Sequence, residues 1–210
     1  MAKGNSKLSQ AKQAYNMSAL EYYREDGYYI NNILRQGLDL DNLEEKYVEA
    51  LDEMTKRDTV QQDTLYRVVD ANTVFDGIDD FSYYDLRAHL LIGDDVYDRG
   101  AYSQGIKAKM EKMVKNPIGK TMNDKGFMST TTDYETALHK ANDDTHGRNK
   151  VVLKITGTKG AKGANLGFMD KEYSTPENEF LLGRNNSYTY KRVFAKDGEI
   201  FVEASLNKKK

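Results

Sequence analysis

Three short segments carry side chains whose types and spacing could do chemistry: Arg67 within LYR, Ser129-Thr130-Thr131 within GFMSTT, and Glu177-Asn178-Glu179 within PENEFLL. In an extended chain, side chains two apart face the same way, so Glu177 and Glu179 are expected to present two carboxylates on one face. Such neighbours repel each other, which is tolerable on a solvated edge or where a cation lies between them. Arg67 falls in TLYRVV, whose alternation sends Leu65, Arg67 and Val69 to one face, and a guanidinium inside such a strand needs an anion. Taken singly, each segment has an ordinary reading: an exposed strand edge for the glutamates, a surface ion pair for Arg67, and a strand end leading to a helix cap for the Ser-Thr-Thr run. Their occurrence in this order, each at a strand edge, sets them apart.

The elements that must position these residues follow from periodicity. Leu8, Ala11, Tyr15 and Tyr22 recur near helical spacing, as do Leu43, Tyr47, Ala50, Leu51 and Met54, and Asp41 with Glu44 forms a capping-box pattern before the second set. Further helices are expected over 79–91 and 105–115, separated by the turn-rich GDDVYDRG; Asn116-Pro117 ends the second. GFMSTTT reads as a strand end, and Asp133 as the cap of the helix YETALHKAND. VVLKIT (151–156) reads as a strand, TGTKGAKGANLG as a Gly/Lys loop, and ENEFLLG (177–183) as another strand. A hairpin around Asp197-Gly198 closes the chain. Helices first and strands later predict an α+β protein.

Composition narrows the class. A chain of 210 residues, 39% hydrophobic and 30% charged with two prolines, is long enough to bury a real core and is too apolar for disorder. A net charge of −2 gives no overall pull towards nucleic acid or an anionic membrane, and Lys208, Lys209 and Lys210 read as a solvated end. Without cysteine there is neither a disulfide nor a thiolate metal site. His89, His139 and His146 lack ligand spacing, so no metal is expected. Gly119-Lys120-Thr121 is no phosphate loop, because Val114 takes the place of its first glycine, and the glycines of GTKGAKGANLG do not fit a dinucleotide fingerprint. The start MAKGNSKLSQAKQAYNMS has no apolar signal region and no stretch suits a membrane span, so a soluble, cytoplasmic chain is expected.

The ordered set LYR, F-x-S-T-T and E-x-E followed by apolar residues resembles the R-S-E class of mono-ADP-ribosyltransferases, which includes bacterial binary-toxin enzymatic components, C3-like exoenzymes and phage-encoded transferases. The resemblance spans roughly 62–205 and is closest over VVLKITGTKGAKGANLG and ENEFLLGRNNSYTY. It implies a mixed or antiparallel β-sandwich catalytic domain at 62–210, with residues 1–61 as a helical extension packed on it. It also implies NAD⁺ as co-substrate, with Arg67, Ser129, Thr131 and Phe127 on the donor side. Arg67 would grip the pyrophosphate, Ser129 would orient the catalytic Glu179, Thr131 would support the cleft, and Phe127 would pack beneath that strand. Glu179 would counter charge developing on the nicotinamide ribose. Glu177 would bind and deprotonate the acceptor, with Tyr173 able to reach it; a glutamate at that position goes with arginine acceptors in the family.

Val68 departs from members that carry a second arginine after the first, and Gly126 from members with an asparagine there. The interval from Arg67 to Ser129 suggests an insertion within 76–104. The expected activity is thus NAD⁺-dependent ADP-ribosylation of arginine on a target protein. Two alternatives stand beside it: hydrolysis of NAD⁺ by the same site, and a non-catalytic interaction module of a phage particle or toxin complex.

Overall fold

The computed structural model describes residues 2–98, 104–143, 149–167 and 178–207. Its first element, α1 (Ala2–Gln36), runs well past the periodic stretch that ends near Tyr23 and kinks at Asp26, whose φ of −123° lies outside the helical range. Ala19, Leu20, Tyr23, Ile30 and Ile33 form its buried stripe. Gly37, at φ +70°, ends it, and the Leu38 amide reaches back to the Ile33 carbonyl at 3.1 Å, the closure that a left-handed glycine permits. α2 (Asn42–Met54) starts with the expected capping box: Asp41 accepts from the Leu43 and Glu44 amides, and Glu44 accepts from the Asp41 amide.

Among the described residues, nine strands follow in one mixed sheet: β1 (Asp58–Thr59), β2 (Thr64–Asp70), β3 (Thr121–Asp124), β4 (Met128–Thr131), β5 (Lys150–Thr156), β6 (Lys162–Asn165), β7 (Glu179–Leu182), β8 (Asn186–Lys196) and β9 (Glu199–Leu206). Their order is β1-β6-β7-β4-β2-β5-β9-β8-β3, antiparallel throughout except for the parallel pair β5 and β9. With its N-terminal helices, this is the α+β architecture expected from the sequence. α3 (Asp80–Ile92), α4 (Asp95–Asp98) and α5 (Gln104–Lys115) lie between β2 and β3, and α6 (Tyr134–Asn142) follows β4 behind its Asp133 cap.

Connectivity forces this sheet to bend. β3 and β4 are separated by four intervening strands, which in a flat sheet would hold them ~24 Å apart. Only four Cα steps join Asp124 to Met128, and these span at most ~15 Å. The sheet therefore folds back, hinged where β2 and β4 meet at the single pair Tyr66 and Thr131, whereas β2 and β5 pair along their whole length. Met128, Phe180 and Leu182 from one half share a core with Leu65, Leu153, Ile155, Tyr188 and Val202 from the other. α1 and α2 cover the outer side of the first half, packing Leu20, Tyr23, Leu51 and Met54 on Phe127, Ala164 and Leu181. α6 covers the outer side of the second, on Val152 and Phe201.

Two expectations are corrected. KGAN, taken for part of a Gly/Lys loop, is strand β6 between β1 and β7, because its small residues let the neighbouring strand approach closely. Thr121–Asp124, where no strand was expected, pairs with β8. The closing turn is as expected: Asp197 and Gly198 both have positive φ, as a two-residue turn between twisted strands requires. Among the described residues, no helix is long and apolar enough to cross a membrane.

Gly163 in β6 shows how close that approach is. A Cβ built there would lie 2.3 Å from the Phe180 ring and 2.6 Å from the Leu181 carbonyl oxygen. Gly163→Ala is expected to lower stability by about 1–3 kcal/mol through backbone displacement, measured as a fall in urea midpoint.

Candidate active site

Strand pairing sets β7, β4 and β2 side by side, and each contributes one of the side chains singled out by the sequence. Glu179, the first residue of β7, lies opposite Thr131, and Leu181 lies opposite Ser129. Ser129 is therefore a diagonal neighbour of Glu179 on the same face, and its hydroxyl donates to Glu179 Oε1 at 2.5 Å. Glu179 is only 6% exposed, so this bond helps to offset the cost of burying a carboxylate.

Arg67, on the neighbouring strand β2, donates from Nη1 to Asp124 Oδ2 at 2.7 Å. The anion that a strand arginine requires is thus supplied by the protein at the end of β3. Asp124 also receives Arg35 of α1, Nε to Oδ1 at 2.8 Å and Nη2 to Oδ2 at 3.1 Å, together with the Gly126 amide at 3.0 Å. Burial alone would raise the Asp124 pKa, but the hydrogen bonds and charges of Arg35 and Arg67 outweigh it and hold the carboxyl below its ordinary value of 3.8.

α1 adds a second set of contacts. Asn31 accepts from the Phe127 amide at 2.7 Å and donates to the Tyr23 hydroxyl at 2.9 Å. Tyr23 packs edge-on against Phe127, with ring centroids 5.8 Å apart. Its pKa is pushed up to about 12, chiefly by burial and further by the charge of Glu179, while the Asn31 bond, Arg67 and Arg35 pull it down. The phenol is therefore neutral at physiological pH and lies within electrostatic reach of both Glu179 and Arg67. Gly126 is glycine for a steric reason: a Cβ there would meet Asn31 Oδ1 at 2.6 Å.

The remaining predicted residues divide. Thr131 is buried beside Glu179, and its hydroxyl accepts from the Asp133 amide at 3.0 Å, shaping the entry to α6. Phe127 was grouped with donor-binding residues. It is fully enclosed beneath Tyr23, so its side chain has no surface for a nucleotide and acts through packing, the other part of its expected role. Glu177 and Tyr173 lie outside the described residues. Asn178, the first described residue after them, has φ +46°. Asn178 is tied to the start of α6, its carbonyl accepting from the Thr132 amide at 3.3 Å and its amide group donating to Asp133 at 3.4 Å.

Sequence reasoning missed Asp124, Tyr23, Asn31 and Arg35. Asn31 and Arg35 are one helical turn apart, which hinted at a shared face, but nothing local identified a partner 89 residues away. The assembled groups combine a buried carboxylate held by a hydroxyl with two guanidiniums sharing one carboxylate. Such a site can stabilise positive charge developing at a carbon while binding an anion nearby.

The sequence matches the ADP-ribosyltransferase exoenzyme family over residues 3–209. No protein of curated function matches it. Among solved structures, the chain is similar to C3stau2 from S. aureus, determined with NAD, at 21% identity and a TM-score of 0.61, covering 99% of this chain and 94% of that one. The Clostridium limosum C3 exoenzyme is 21% identical with a TM-score of 0.62, over 92% of this chain and 85% of that one. BECa, an ADP-ribosylating toxin of a C. perfringens binary enterotoxin determined with NADH, is 20% identical with a TM-score of 0.62, over 92% of this chain but 43% of its own.

Because the folded-state pKa of Asp124 is depressed, its stabilising contribution is complete above the ordinary aspartate range and is lost as pH falls through the depressed value. Urea unfolding at pH 7 and at stepwise lower pH should show a steeper acid loss for the parent than for Asp124→Asn. Parallel curves would contradict this.

Proposed function

The chain belongs to the ADP-ribosyltransferase exoenzyme family, and on that footing we propose that it transfers ADP-ribose from NAD⁺ to an arginine side chain of a target protein, acting in the cytoplasm of the cell that holds the target. The observation that carries this reading is the Ser129–Glu179 hydrogen bond on the strands next to Arg67. In the division of labour proposed here, residues 62–210 form the catalytic domain and residues 1–61 a helical extension packed on it.

Arg67 would hold the pyrophosphate, for which a planar guanidinium is better suited than a lysine ammonium. Glu179, fixed by Ser129, would accept a hydrogen bond from the nicotinamide-ribose 2′-hydroxyl and counter the positive charge that grows as the bond to nicotinamide breaks. Nicotinamide is a good leaving group, so charge stabilisation and positioning matter more than proton donation. Glu177 would hold the acceptor guanidinium and take the proton it loses as the new carbon–nitrogen bond forms. Tyr173 would add an aromatic contact to the acceptor.

Hydrolysis by the same groups is the second reading, since Ser129 and Glu179 address bond cleavage whatever the nucleophile. A non-catalytic role is disfavoured by the buried carboxylate itself, which an idle site has no physical need to keep.

Incubation with labelled NAD⁺ and a cell lysate should label protein through hydroxylamine-sensitive arginine linkages; label confined to asparagine, cysteine or nucleic acid would overturn the acceptor assignment. Nicotinamide release with no labelled protein across many lysates would favour hydrolysis. Glu179→Gln should lower turnover by about 10²–10³, as removal of one transition-state contact does elsewhere. Glu177→Gln should spare NAD⁺ hydrolysis more than arginine transfer, and equal loss of both would indicate a structural role.

A further inference from the structure

We propose that Asp124 is a positioning residue for donor binding: it fixes Arg67 so that the Nε–Nη2 edge of the guanidinium is presented to the pyrophosphate of NAD⁺. The role rests on the donor assignment above.

The argument begins with hydrogen-bond capacity. An ionised carboxylate offers about four lone-pair sites, and Asp124 fills them with four donors: Arg35 Nε and the Gly126 amide on Oδ1, Arg67 Nη1 and Arg35 Nη2 on Oδ2. A saturated carboxylate held on three sides has no slack with which to follow a moving arginine, so the arginine is held to it. Arg67 spends only Nη1 in this way, and among the described residues Nε and Nη2 have no partner. Those two nitrogens form the edge that can grip a phosphate bidentately.

Electrostatics favours the same arrangement. Two guanidiniums around one carboxylate leave an excess positive charge, and the 7% exposure of the Asp124 side chain limits its screening by water. Without the carboxylate, Arg35 and Arg67 would repel each other and Arg67 would be free to change rotamer. Ordering it beforehand removes an entropy loss otherwise incurred on binding. Asp124 is well placed for this because it ends β3, next to the short link into β4 that carries Ser129.

The test compares the parent with D124N, R67A and the double variant R67A/D124N, using calorimetric titration with NAD⁺ and steady-state nicotinamide release. Loss of pre-ordering should raise both Kd and KM for NAD⁺ about tenfold in D124N while kcat stays within about twofold, the pattern of weakened ground-state binding. The double variant should be no worse than R67A alone, since the two residues act through one contact. If D124N does not fold, D124E, which keeps the charge but shifts its oxygens by one methylene, takes its place, with a raised KM and a retained kcat expected. A Kd unchanged from the parent in whichever variant folds, or R67A and D124N effects that multiply independently, overturns the positioning role while leaving the donor assignment intact. Failure of the parent itself to bind NAD⁺ overturns the donor assignment, and the positioning role with it.

Discussion

The four-step link from Asp124 to Met128 constrains everything around it. Because so short a connection joins strands that lie far apart in the sheet order, the sheet must close on itself, and the closure creates the shared core and brings Asp124 of β3 against the seam of β2, β4 and β7. The same link is fastened at each peptide that matters. The Gly126 amide bonds to Asp124 and the Phe127 amide to Asn31, so the bend is held by side chains from β3 and from α1. Buried backbone donors outside regular ladders need such partners, and here those partners also line the candidate site.

Charge within the seam is arranged in two groups. Arg67 and Arg35 are gathered around Asp124, and Glu179 is held by Ser129 on the next strands. Tyr23 lies within reach of both, shielded enough to stay a neutral phenol. These regions of opposite sign come from β2, β3, β4, β7 and α1, and the proposed donor, with its phosphates and a carbon that becomes cationic, would require such a separation. α1 therefore belongs to the site's electrostatics as well as to its packing.

How much of this could be read from the sequence depended on the range of each signal. The capping box at Asp41 and Glu44, the hairpin turn at Asp197-Gly198 and the cap at Asp133 are local chemistry, and each was found where its residues indicated. β6 was missed because Lys162–Asn165 has neither branched nor aromatic residues; it is a strand because glycine and alanine admit a close neighbour, a tertiary reason. Arg67, Ser129 and Glu179 stood out through their order in the chain. Asp124 and Arg35 did not, since an aspartate near a turn and an arginine near a helix end have many ordinary explanations. The pairing of Glu177 with Glu179 rests on an alternation whose far member, Glu177, lies outside the described residues.

The contact between Gly126 and Asn31 bears on how this sequence can drift. The helix side chain occupies the space that any larger residue at position 126 would need, so neither position can change freely by itself. Enlargement on the link is compatible only with a shorter group on α1, and the replacement would have to satisfy the Phe127 amide from the other side. Two positions almost a hundred residues apart are therefore expected to change as a pair in any lineage that keeps the bend, one donating the amide-like group and the other leaving room for it.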